Sequence, residues 1–138
     1  MSTKFLKLSK FAQGYVECAL WSENDNSDDS GGEPLDSNYD VDDIADEALK
    51  QMQKDCEKFR KANIALLADM GRPDDYCGHD FWLTRNGHGT GFWDRYMDLK
   101  DASDRDKAKV AGDKLTEACK KFGECHLYVG DDGKIYLE

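Results

Sequence analysis

No lysine or arginine occurs between Lys10 and Lys50. Twelve of the 29 acidic residues fall in that interval, and none of the 19 basic ones. Outside it bases and acids nearly balance, so the formal charge of −10 comes from one stretch. A surface of this sign repels bare nucleic acid and anionic membrane, which makes direct binding to either a poor expectation. Long apolar runs are missing too, and no stretch reaches transmembrane length. The N-terminal run with Lys4, Lys7 and Lys10 has neither the apolar core nor the small-residue cleavage site of a signal peptide. Cys18, Cys56, Cys77, Cys119 and Cys125 are odd in number and contain no Cys-x-x-Cys pair. Reduced thiols and a cytoplasmic setting are the expectation. Phosphate-loop, dinucleotide and nucleophile-elbow patterns are absent, and no Ser, Thr or Cys has an obvious adjacent base.

What is present fits one domain, residues 1–138, with an acidic loop insertion at 22–40. The 39% hydrophobic content is low and the 35% charged content high. Fifteen aromatic residues are nonetheless enough for a core, and a chain this long needs no disulfide or metal to fold. The loop is rich in Asn, Asp, Ser and Gly. As a calcium loop it fails. Its best frame, Asn26, Asp28, Ser30 and Gly31, lacks the first-position Asp, and Ser37 stands where the bidentate Glu belongs.

Helical spacing runs through 4–21, carried by Phe5, Leu8, Phe11, Ala12, Tyr15, Val16 and Ala19 and weakened at Gly14. The strongest stripe spans Asp42 to Met70: Ile44, Ala48, Met52, Cys56, Phe59, Leu66 and Met70 share one face, interrupted by Asn63. Asp42, Asp43 and Asp46 suit its first turn. Gly71 and Pro73 suit its end. A further helix covers Asp106 to Phe122, with Gly123 as its C-cap. Phe81 to Arg85 and Gly91 to Asp94 read as strands around the Asn86-Gly87 turn. Cys125 to Val129 and Lys134 to Leu137 read as a second hairpin. The expected fold class is α+β: a small antiparallel sheet of three to four strands, from two hairpins, packed with about three helices.

Two sets of side chains carry chemistry. His79, Asp80, His88 and Asp94 have ligand and acid–base character and would suit zinc, iron or metal-assisted hydrolysis if they converged, although their spacing matches no named metal motif. Trp82, Arg85, Trp93 and Arg95 pair indole with guanidinium, which suits a cation–π contact, an interface hot spot or a base-stacking platform.

The block Gly-His-Asp-Phe-Trp-Leu-Thr-Arg-Asn-Gly-His-Gly, within Gly78 to Arg95, resembles a widespread family of small proteins of bacteriophages, prophages and plasmids. So does Tyr-Val-Gly-Asp-Asp-Gly-Lys-Ile-Tyr, Tyr128 to Tyr136. The similarity extends from about Phe11 to the C-terminus. It implies a mobile-element accessory protein of the infected or carrier bacterial cell, and hands over no catalytic residues. The leading expectation is a non-enzymatic protein, needing no cofactor, that binds and modulates a host protein. That partner would be a nucleic-acid-processing or defence enzyme, with anti-CRISPR or anti-restriction action as special cases. The expected contact surface joins Asp25, Asp28 and Asp29 of the loop to Trp82, Arg85, Trp93 and Arg95. One alternative is a small metal-dependent enzyme acting on nucleotides or nucleic acid through the His–Asp set. A second is a single-stranded nucleic-acid-binding protein.

Overall fold

Ser9 ends the first helical turn of the chain and starts the next helix, because its hydroxyl accepts from the Ala12 N–H at 3.1 Å. The expected helix over 4–21 is therefore two: α1, Thr3–Leu6, and α2, Lys10–Ser22. The structure is a computed structural model that describes residues 3–25 and 32–138. The calcium frame Asn26, Asp28, Ser30 and Gly31 lies outside the described residues, as do the partner candidates Asp28 and Asp29.

The long stripe from Asp42 also divides. Asp40 accepts from the Asp42 N–H and its own N–H donates to Asp43, which closes a 3₁₀ turn, Val41–Asp43. α3 then runs Asp46–Ala62, with Asp46 and Glu47 in its first turn. At Asn63 the backbone leaves helical geometry, and the side-chain amide donates to the Phe59 carbonyl at 2.8 Å. The polar interruption of the apolar face is thus a helix stop, and α4, Ile64–Asp69, starts beyond it. Gly71 follows α4 with a positive φ.

α5 is the main correction. Residues expected to form a hairpin around Asn86-Gly87 instead complete a helix, Asp74–Arg85. Pro73, read only as a stop, also opens this helix, and Asp74 and Asp75 occupy the first turn where the macrodipole favours acids. Asn86-Gly87 forms the end of a helix, not a hairpin turn. Gly87 has φ +68°, its N–H donates to the Thr84 carbonyl, and the His88 N–H donates to the Leu83 carbonyl. That bond pair is a Schellman motif, which needs a residue tolerant of positive φ. The second expected strand, Gly91 to Asp94, enters a 3₁₀ segment, Phe92–Asp98.

The last helix, α6, spans Ala102–Lys120 and is capped by Asp101. The terminal hairpin is present as β1, Leu127–Val129, and β2, Ile135–Leu137, paired Leu127 to Leu137 and Val129 to Ile135. Ile135 also accepts from the Ala45 N–H at 2.9 Å, which fastens the hairpin beside the start of α3. The expected sheet of three to four strands is overturned. The described residues form a mostly helical fold with one two-stranded antiparallel sheet.

α2 and α5 are the central pair. A Cβ on Gly14 would collide with the Asp75 carbonyl, and one on Gly78 with the Phe11 carbonyl. The glycine that weakens α2 as an isolated helix is what allows its backbone to touch that of α5. Around this crossing Phe59 stacks on Phe81 at 4.1 Å, and Phe11, Tyr15, Phe92 and Phe122 complete the aromatic interior. Cys56 and Cys119 are buried on their helix faces as small hydrophobes. Leu35, inside the acidic loop region, is fully buried and anchors the otherwise mostly exposed 32–40 segment to the core.

Candidate functional site

α5 carries four of the candidate residues, His79, Asp80, Trp82 and Arg85, and it buries the last three. Trp82 has no exposed surface, and its indole N–H donates to the Ser22 hydroxyl at 2.8 Å. Arg85 is 7% exposed. Its guanidinium donates to the Phe122 and Gly123 carbonyls at 3.0 and 2.9 Å, to the Tyr15 hydroxyl at 3.0 Å and to Asp55 at 2.9 Å. It also lies over the Phe81 and Phe122 rings. Burial opposes its charge, but Tyr15, Cys125 and the bond to Asp55 raise its pKa above the ordinary value. Trp82 and Arg85 therefore belong to no partner surface and no base-stacking platform: they tie α5 to α2, α3 and the end of α6.

Asp80, one turn back, is 1% exposed and held by two arginines. Arg95 donates to it in bidentate fashion at 2.7 and 3.0 Å, and Arg72 at 3.3 Å. Arg95 therefore pins the 92–98 segment to α5 while keeping about a fifth of its side chain in solvent. Trp93 is half-buried beside Gly91. Asp25 is partly buried, and its N–H donates to the Glu33 carbonyl at 2.7 Å.

The four candidate ligands do not converge. Asp80 is occupied by arginines. Asp94 accepts from the Thr90 hydroxyl at 3.1 Å and the Gly91 N–H at 3.3 Å. His88 sits in the turn after α5, and the His79 ring lies 6.0 Å from that of Trp21. Among the described residues no group of three or more His, Cys, Asp or Glu is placed to hold a metal. The thiols offer no nucleophile either. Burial, with Asp80 adding to it, pushes Cys18 and Cys77 up to about 12, and burial also raises Cys56, Cys119 and Cys125.

An apolar concave surface lies elsewhere. A groove of about 670 Å³ opens between α1, α2 and the 35–41 segment, with His79 of α5 at one end. Phe5, Val16, Leu20, Trp21 and Tyr39 provide its apolar wall, and Glu17, Asp36 and Asp40 its polar edge. Trp21 is 57% exposed, unusual for so large an apolar side chain. A smaller cleft of about 240 Å³ adjoins it through Glu17 and His79 and contains Arg72, Asp80, Arg95 and Tyr76. His79 stands between the two. Burial, reinforced by Arg95 and Arg72 against the pull of Asp80, lowers its pKa. Sequence reasoning missed Trp21, Tyr39, Glu17, Asp36 and Asp40 as a set. The available signal was Trp21, which lies off the apolar stripe of α2 and next to the acidic stretch.

No helix among the described residues is long and apolar enough to cross a membrane. The chain matches no protein-family model, no curated protein and no solved structure.

Proposed function

We propose that this chain is a non-enzymatic binding protein of a phage or other mobile element that docks on a host protein and modulates it. Host takeover or anti-defence, including anti-CRISPR or anti-restriction action, is the role its resemblance implies. One observation carries the reading. The residues with ligand or acid–base character are separated: Asp80 is committed to ion pairs, Asp94 and His88 to helix and turn ends, and His79 alone of the four lines the groove, whose surface is apolar with an acidic edge. That is the composition of a recognition surface rather than of a reaction centre.

The test is affinity capture from carrier-cell lysate with the tagged full-length chain, followed by assay of the captured protein's activity. The expected result is one stoichiometric host protein whose activity changes when purified chain is added. Recovery of no stoichiometric partner would count against the reading. So would stoichiometric zinc, iron or manganese, found by elemental analysis of protein purified without chelator and lost in His79→Ala.

A further inference from the structure

The groove's edge is unbalanced in charge. Most ion pairs elsewhere join a carboxylate to a nearby Lys or Arg, as in Arg60–Asp74, Arg85–Asp55 and Lys61–Glu57. Glu17, Asp36 and Asp40 all line the groove, and among the described residues no Lys, Arg or His forms an ion pair with any of them. Lys4, at the neighbouring turn, is committed to Asp46 at 3.2 Å and to the Ile44 carbonyl at 3.1 Å. Among the described residues that line the groove, His79 alone can carry positive charge. Burial lowers its pKa and so disfavours that charge.

We infer that this groove receives a segment of a partner protein in which an apolar anchor is flanked by arginine or lysine. The inference rests on the binding-protein reading above and adds the chemistry of the partner. Phe5, Trp21 and Tyr39, over a floor of the buried Val16 and Leu20, take the anchor, and burial of that anchor supplies most of the affinity. The exposed faces of Trp21 and Tyr39 take a cation over the ring. Glu17, Asp36 and Asp40 supply the complementary field that steers the segment in and fixes its direction. The groove's volume falls in the range that accepts a drug-sized ligand or a few peptide side chains. The chain's own residues 26–31 are unsuited as occupant, since Asp28 and Asp29 make them acidic. A second copy of the chain would bring a like-charged face.

The test uses the full-length chain and three short fluorescein-labelled peptides: alternating leucine and arginine, alternating leucine and glutamate, and alternating serine and arginine. Fluorescence anisotropy is the readout. The leucine–arginine peptide is expected to bind about ten-fold or more tighter than either control. Trp21→Ala is expected to weaken it by a similar factor. The double variant Asp36→Asn, Asp40→Asn, in which the amide at position 40 can still accept from the Asp42 N–H, is expected to weaken it a few-fold and to flatten its salt dependence. Equal affinity for wild type and Trp21→Ala overturns the inference, because the peptide then merely coats an acidic surface. Equal binding of the leucine–glutamate peptide overturns it as well. So does concentration-dependent dimerisation, seen by sedimentation and abolished in Trp21→Ala, which would give the groove to a second copy. Failure here is distinct from failure of the binding-protein reading. A host partner captured equally well by Trp21→Ala keeps that reading and removes the groove. Selective peptide binding without any captured host partner keeps the groove's chemistry and removes the host-modulator role.

Discussion

The Asp80–Arg85 end of α5 and the groove beside α2 handle polar groups in opposite ways. Around Arg85 the guanidinium is matched by two carbonyls, a hydroxyl and a carboxylate drawn from three separate parts of the chain. Among the described residues no buried side-chain nitrogen or oxygen lacks a partner. Such an interior has nothing left to offer a ligand, and its charges serve to fix how the helices meet. In the groove three carboxylates have no ion-pair partner among the described residues, and a tryptophan is more than half exposed beside them. An isolated exposed apolar residue needs no explanation, but one on a concave apolar wall with a single-sign edge is a candidate contact. A charged or aromatic residue in the sequence is therefore no guide to function until its partners are known.

The sharpest way to break the comparison is to remove Arg85. Arg85→Met leaves Asp55 and the carbonyls at the end of α6 without their donor, and the expected loss is about 3–5 kcal/mol in urea denaturation. Asp80→Asn should cost less, about 1–3 kcal/mol, because Arg72 and Arg95 each keep about a fifth of their side chains in solvent and can be rehydrated. Equal losses would mean the two sites are equally closed. Next comes the helix crossing. Gly78→Ala places a methyl against the Phe11 carbonyl, and separating the backbones should cost roughly 1–3 kcal/mol or more, read by thermal unfolding.

Those substitutions affect the scaffold, whereas Trp21→Ala affects the groove alone. Its stability should stay within about 0.5 kcal/mol of wild type while binding falls. A large stability loss would make Trp21 part of the core and erase the contrast. The smallest expected effect lies at the border, at His79. Its folded pKa is below the ordinary 6.5, so the unfolded chain takes up the proton first as pH falls. Stability should decline as pH drops through about 6.5 and level off below the folded pKa. Replacing the ring with His79→Gln should remove that part of the slope in urea midpoints measured across this window.

Much of the helical framework was legible in periodicity. The α3 and α6 stripes and the terminal hairpin are where the spacing places them, and Gly123 has the positive φ expected of a C-cap. α5 was not legible for a physical reason. Residues 81–86 are all buried, so no polar face marks a helical period, and Phe81, Trp82 and Thr84 are residue types favoured in strands. Asn86-Gly87 compounds the misreading, since positive φ serves a helix end as well as a hairpin turn. The long helix from Asp42 was split by Asn63 bonding back to Phe59, a local competition that spacing does not register. The polar sites were hidden because their partners are remote: Arg85 draws on Tyr15, Asp55, Phe122 and Gly123. The groove likewise combines α1, α2, residues 36–41 and His79, which only tertiary packing brings together.

Hydrogen–deuterium exchange of the full chain, with and without the leucine–arginine peptide, tests the division between scaffold and groove most directly. New protection is predicted over residues 16–21 and 36–41, with 81–86 unchanged by the ligand. Protection that instead appears over 81–95 while the groove exchanges as before would contradict it.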